Sequence, residues 1–107
     1  MTLHGTFAAL GDPVRLAIVE RLLKDGETKA GDLIDVADIS APAVSRHLKV
    51  LRQAGVIDQR VDGQKRLYSA NSKTVQNLHE WTTNHKAFWE SSLDRLEKVL
   101  SEKGDKK

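Results

Sequence analysis

The 107-residue chain has no cysteine, which excludes disulfides, thiolate metal ligands and thiol nucleophiles together. That usage agrees with a reducing compartment. It has two prolines, Pro13 and Pro42, each placed where a helix could start, and only five aromatic residues. No apolar run approaches the ~18 residues of a membrane span. The opening segment MTLHGTFAALG lacks the basic start and long apolar stretch of a secretion signal. A cytoplasmic protein without membrane contact is therefore expected. Enzymatic equipment is equally scarce. No glycine-rich phosphate loop follows a strand pattern, and Ser45 and His47, two apart on a helix, point in different directions. The sequence predicts neither an enzyme nor a cofactor. At 39% hydrophobic residues it can bury one modest core, so residues 1–107 are expected to form a single domain.

Basic charge, in contrast, is concentrated. Between Ser40 and Ser69 six cations (Arg46, Lys49, Arg52, Arg60, Lys65 and Arg66) face two carboxylates, Asp58 and Asp62, giving +4 within a chain whose total is +2. Such segregation is the footprint of a phosphate-binding surface. The segment opens with a specified helix: Ser40 as N-cap, Pro42 in the first turn, Gly55 as the stop, hence residues 41–54. Val44, Leu48 and Leu51 form one apolar stripe, leaving Pro42, Arg46, Lys49 and Gln53 on the other side. His47 falls at the border, where a partly buried structural role and a DNA contact are both open. Arg46 could grip guanine or clamp a phosphate, and the sequence does not choose. Two β-rich runs then flank Asp62-Gly63 as a hairpin. A two-residue loop there would set Arg60 opposite Lys65, a like-charge pair that invites an anion, whereas a longer loop through Gln64 would separate them.

Upstream, Asp12-Pro13 starts a helix that Gly26 ends, with Leu16, Val19 and Leu23, flanked by Ile18 and Leu22, as its buried side. Thr28 is expected to cap a short helix to about Val36, completing a helix-turn-helix over about 28–54. The hairpin, about 56–69, would be its wing. Residues from about 72 to 103 lack proline and glycine and read as one long helix. Its apolar content exceeds what a small core can cover. Trp81, Phe88, Trp89, Leu93, Leu96 and Leu100 are therefore expected, with Leu3, Phe7 and Leu10 from the first helical segment, to form a homodimer surface; wrapping of the chain's own core is the alternative.

FAALGDPVRLAIVERLL, GDLIDVADISAPAVSRHLKVLRQAGVI and DGQKRLYS, taken together, resemble the bacterial ArsR/SmtB family of winged-helix repressors from Phe7 to about Leu100. The resemblance implies a mainly α (α+β) protomer ordered α-α-α-α-β-β-α, a homodimer made by the first and last helices, and repression by occupying a double-stranded operator. Carried to matching positions, it puts Ser40, Ala43, Ser45, Arg46 and His47 on the DNA-reading helix, Lys49 at a phosphate, and Arg60, Lys65 and Arg66 in the wing; Pro42 on the exposed side of that helix and Gln64 in the hairpin loop are expected to join the same DNA-binding surface.

Metal sensing in the resembled family uses motifs that this chain has lost. The C-V-C-D-L box corresponds to Lys29-Ala30-Gly31-Asp32-Leu33, and the D-x-H-x10-H-x2-E pattern to Asn77, His79, Glu90 and Leu93, of which only His79 keeps its ligand type. His79 and His85, six apart, stand about 240° out of phase on one helix. No metal site is expected. A non-standard site across a dimer from His4, His79, His85 or Glu90, an inducer of unknown identity near Trp81, Phe88 and Trp89, and reuse of the winged helix as a protein-interaction module remain the alternatives.

Overall fold

The computed structural model describes residues 2–105, with side chains through residue 102. Two compact units succeed one another along the chain, dividing between Asn77 and Leu78. The first is built on helices whose starts are written in short polar residues. Helix α1, Leu3–Leu10, is capped by Thr2, whose Oγ1 accepts the Gly5 N–H at 3.1 Å. Helix α2, Pro13–Asp25, has proline in its first turn and is capped by Asp12, whose Oδ1 accepts the N–H groups of Val14 (2.9 Å) and Arg15 (3.1 Å). Gly26, at φ 76°, ends it in a conformation costly for any other residue.

The next segment departs from expectation. Thr28 is not a helix cap. Strand β1, Thr28–Lys29, adds to the sheet by pairing Thr28 with Tyr68 and Lys29 with Leu67, and Thr28 Oγ1 donates back to the Gly26 carbonyl. The following helix, Ala30–Val36, is 3-10 rather than α and has no side-chain cap. Leu33 anchors it in the core.

Helix α3, Ala41–Gln53, starts as expected at Ser40, whose Oγ accepts the Ala43 N–H at 3.3 Å. Val44, Leu48 and Leu51 are all buried. After Gly55 (φ 76°) come strands β2, Ile57–Asp62, and β3, Lys65–Ala70, giving an antiparallel sheet of order β1-β3-β2. The unit closes where α4, Ser72–Asn84, begins: Asn71 Oδ1 accepts the Thr74 N–H, and the buried Thr74 hydroxyl donates to the Gly55 carbonyl at 2.7 Å. The turn between α3 and β2 is thereby tied to the helix after the hairpin. Ile18, Leu22, Leu33, Leu51 and Ile57 are the largest side chains of the core. Leu16 and Leu23 do not join it, being 42% and 56% exposed. Helix α2 is rotated so that Ile18, Val19 and Leu22 take the inner face instead.

A single helix over 72–103 is also not what forms. Helix α4 stops at Asn84 and α5 runs from Lys86 to Asp105, with His85 in a turn between them. The cause is side-chain competition for backbone carbonyls. His85 Nδ1 lies 2.7 Å from the Trp81 carbonyl, the acceptor its own backbone N–H would use in an α-helix, and that N–H bonds the Thr82 carbonyl instead at 3.2 Å. Thr82 Oγ1 adds a bond to the Leu78 carbonyl at 3.0 Å. Within this second unit Trp81, His85, Phe88 and Trp89 form one aromatic cluster, with centroids 4.8 Å (Trp81–His85), 6.3 Å (Trp81–Trp89) and 5.3 Å (Phe88–Trp89) apart. No helix of the described residues is long and apolar enough to cross a membrane.

This packing separates two leucines that the sequence would treat alike. Urea unfolding at fixed protein concentration should show Leu51→Ala losing about 2–5 kcal/mol, as for a buried leucine. Leu23→Ala should stay within about 0.5 kcal/mol of the parent.

Candidate nucleic-acid interface

Burial of the Val44, Leu48 and Leu51 stripe decides what α3 presents outward. Pro42, Ser45, Arg46, Lys49 and Gln53 are exposed, Ala43 and His47 are half-buried, and Ser40 stands exposed at the helix start with its hydroxyl engaged as the cap. Thirteen residues make a rod ~20 Å long and ~10–12 Å across, a fit to a major groove ~12 Å wide. Arg46 and Lys49 take part in none of the ion pairs among the described residues. Their charge is available.

His47 is held differently. Its Nδ1 accepts from Arg15 Nη1 at 3.4 Å and lies 4.0 Å from Asp12 Oδ1, while Arg15 Nε donates to the Ala9 carbonyl at 2.6 Å. The histidine thus joins a seam linking α1, α2 and α3. Asp12 sits in that seam as well as capping α2. The Arg15 backbone N–H, foremost, with the Val14 N–H and the Arg15 charge, holds its carboxyl below the usual carboxylate range. Neither Asp12 nor Arg15 stood out in the sequence as more than a helix start.

The hairpin's register separates Arg60 from Lys65. Its two-residue turn is Gly63–Gln64, with Asp62 opposite Lys65, Val61 opposite Arg66 and Arg60 opposite Leu67. Arg60 and Lys65 are therefore not a cross-strand pair. Gly63 alone takes positive φ (63°), as a turn needing it only at its first central residue requires, so Gln64 fits the second position. Gln64, Lys65 and Arg66 are exposed at or beside the tip. Strand alternation sends Lys65 and Arg66 to opposite faces of the hairpin. Arg60 is committed elsewhere: its Nη2 and Nε donate to the two carboxylate oxygens of Glu27 at 2.7 and 3.1 Å, a forked pair between β2 and the turn before β1. The Arg60 hydrogen bond, then its charge, lowers the Glu27 carboxyl below its ordinary range. With the partners 33 positions apart in the chain, no local pattern announced this contact.

In the second unit His79 is exposed on α4, His85 is engaged with the Trp81 carbonyl, and Glu90 pairs with Lys86 at 3.7 Å on α5. His4 is on α1. Leu3 and Phe7 are exposed on α1, whereas Leu10 packs half-buried against the core. Trp81 is half-buried, and Phe88, Trp89, Leu93, Leu96 and Leu100 are exposed.

A helix-turn-helix with an adjoining basic hairpin is shared with known regulators. The pattern of the bacterial regulatory protein arsR family matches residues 12–59. The transcriptional repressor SdpR of Bacillus subtilis is 39% identical over 82 residues, covering 77% of this chain and 90% of SdpR. The chain belongs to the arsR family. A second relative of this ArsR-family protein, the HTH-type transcriptional regulator Rv2034 of Mycobacterium tuberculosis, is 36% identical over 97 residues, spanning 91% of this chain and 87% of that one. The crystal structure of an ArsR family transcriptional regulator, RHA00566, superposes with a TM-score of 0.71 at 27% identity, covering 82% of this chain and 96% of that one. The ArsR-family protein is a DNA-binding transcriptional regulator with a winged-helix fold, and not an enzyme.

Pairing with Glu27 withholds one guanidinium from the surface beside the wing. Glu27→Gln should release it. Duplex binding measured against salt should then steepen by about 0.9 in log–log slope for each Arg60 that reaches a phosphate. An unchanged slope, with Arg60→Ala equally silent, would leave the pair a brace of the sheet.

Proposed function

We propose that the protein is a cytoplasmic homodimeric repressor that places α3 in the major groove of an imperfect palindrome and grips the flanking backbone with its wing. The observation carrying this reading is the exposed Ser45, Arg46 and Lys49 face of α3, whose orientation is set by the buried stripe behind it. In this reading Ser45 and Arg46, with Pro42 and Ala43 near the helix start, approach base edges, and Lys49 meets a phosphate. Gln64, Lys65 and Arg66 follow the backbone. His47 acts chiefly through the Asp12 and Arg15 seam, steadying the helix that is read. Arg60 reaches DNA only when Glu27 lets it go.

Dimerisation is supported by the uncovered surface of α5. Trp89, Leu93, Leu96 and Leu100 recur at spacings of four, three and four residues, the a/d period of a coiled-coil seam, and all are exposed. Leu93, for example, is 63% exposed. A second copy of α5 offers the matching seam, and two-fold symmetry then sets the recognition helices ~34 Å apart, one turn of DNA. The absence of cysteine and the mismatch of Asn77, Glu90 and Leu93 to the histidine-rich pattern favour regulation without a bound metal. The regulatory signal is then a small molecule or the protein's own concentration.

Two variants test the reading. On a selected operator Arg46→Ala should lose about 1–3 kcal/mol of discrimination against random duplex, whereas Lys65→Ala should weaken both alike and flatten the salt slope by about 1. Equal losses for Arg46→Ala on both duplexes would move it to the backbone. Sedimentation should show a dimer at micromolar concentration that Leu93→Glu with Leu96→Glu dissociates; a dimer untouched by that pair would place the interface elsewhere.

A further inference from the structure

Where β1 runs into the 3-10 helix, the chain passes alongside the tip of the hairpin and leaves an open groove of about 380 Å³ between them. Its walls include Lys29 and Asp32 on one side, Gln64, Lys65 and Arg66 on the other, and the backbone of Gly31 at the edge. The sheet register explains the gathering. Lys29 is the partner of Leu67, so it shares a face with Leu67 and, two residues along β3, with Lys65. A Cβ placed on Gly31 would meet nothing within 4 Å, so the space beside that backbone is open.

Charge in the groove is unbalanced. Lys29, Lys65 and Arg66 are exposed and belong to none of the ion pairs among the described residues. Asp32 lines the groove, and Asp62 lies opposite Lys65 across the hairpin. Lys29 and Lys65, which share a face of the sheet, repel one another across the groove while Arg66 adds positive charge at its wall, and a multiply oxygenated anion between the two lysines removes that cost while giving each a charge-assisted hydrogen bond. A phosphate group has the right charge and acceptor geometry.

We infer that this groove is a phosphate site occupied by a backbone phosphate of the bound duplex, with Lys29 a DNA contact beyond those of α3 and the hairpin. The inference rests on the DNA-binding reading above and extends its footprint to β1, ahead of the 3-10 helix. Groove and wing then hold the duplex from two sides: Lys65 and Arg66 approach from the hairpin, Lys29 from β1. Because the contact is to the backbone, it adds affinity and not sequence preference.

The full chain carrying Lys29→Ala or Lys29→Gln, the latter keeping most of the aliphatic stem, is titrated with a selected operator duplex and a random one at several salt concentrations. Both variants should weaken both duplexes by the same factor and flatten the log–log salt slope by about 0.9 for each Lys29 that meets a phosphate. Successive trimming of the operator's ends should reach a length at which parent and variant bind alike, marking the phosphate lost. Inorganic phosphate without DNA, followed by the amide shift of Gly31, separates a free-anion site from a DNA contact. Saturation at low millimolar phosphate, with salt slopes unchanged in both variants, would overturn the inference in favour of a free-anion site. Unchanged slopes without such saturation would overturn it outright. If Arg46→Ala still loses discrimination in either case, the DNA-binding reading stands. Loss of only specific binding in Lys29→Ala would contradict a backbone contact.

Discussion

The seating of α3 by Val44, Leu48 and Leu51 governs what the protein can present to DNA. These side chains lie 0–3% exposed. Burying each contributes about 1.5–3 kcal/mol, and turning the helix by the ~100° of one residue would send Ser45, Lys49 and Arg52 inward in their place. Unpaired cations in an apolar core cost far more than the methylenes gain. The outward face is therefore fixed by what the inward face cannot accept. Gly55 then turns the chain directly into β2, and the Thr74 hydroxyl on the Gly55 carbonyl holds that turn to the start of α4. That hydroxyl and Gly55 join the Val56 N–H on the Leu51 carbonyl and the Asn71 N–H on the Val56 carbonyl in holding helix, turn and hairpin together.

Charge is distributed with similar economy. Cations near the wing fall into two groups. Arg60 is neutralised by the two-bonded contact to Glu27, whereas Lys29, Lys65, Arg66, Lys49 and Arg46 are unpaired among the described residues. An exposed ion pair of this kind adds little to stability. On the proposed reading of the wing, its consequence is to limit how many cations meet the duplex, and so how steeply binding falls with salt. His47, which its position on α3 marks as a candidate reader, is drawn into the Asp12 and Arg15 seam. These contacts link it to α2 and, through Arg15, to α1.

Much of this was legible in the sequence because the signals are local. Ser40, Pro42 and Gly55 delimit α3, Asp12 and Pro13 start α2, and the 44, 48, 51 stripe names the buried face. What escaped is non-local or competitive. Thr28 has the chemistry of a cap, but pairing with Tyr68 across 40 residues of chain made it a strand. Asp62-Gly63 reads as the turn, yet the hairpin turns one residue later, because Gly63 supplies the only positive φ needed and Gln64 completes the loop. That single-residue shift moved Arg60 away from Lys65. The run from 72 to 103 contains no helix breaker, but His85 and Thr82 divert carbonyls that a continuous helix would use. The β-branched and hydrogen-bonding cluster Thr82-Thr83-Asn84-His85 was the available hint.

The absence of native cysteine allows the most direct test of the central claim, that α3 enters the DNA groove by its Ser45, Arg46 and Lys49 face. A single cysteine carrying a DNA-cleaving iron chelate can be installed at Ser45 on that face or at Gln64 on the wing tip, and the cut positions mapped on a selected operator duplex. The account predicts cuts within each half-site from position 45 and cuts in the flanking backbone from position 64. Cleavage from position 64 with none from position 45, in a variant that still binds the operator, would contradict it.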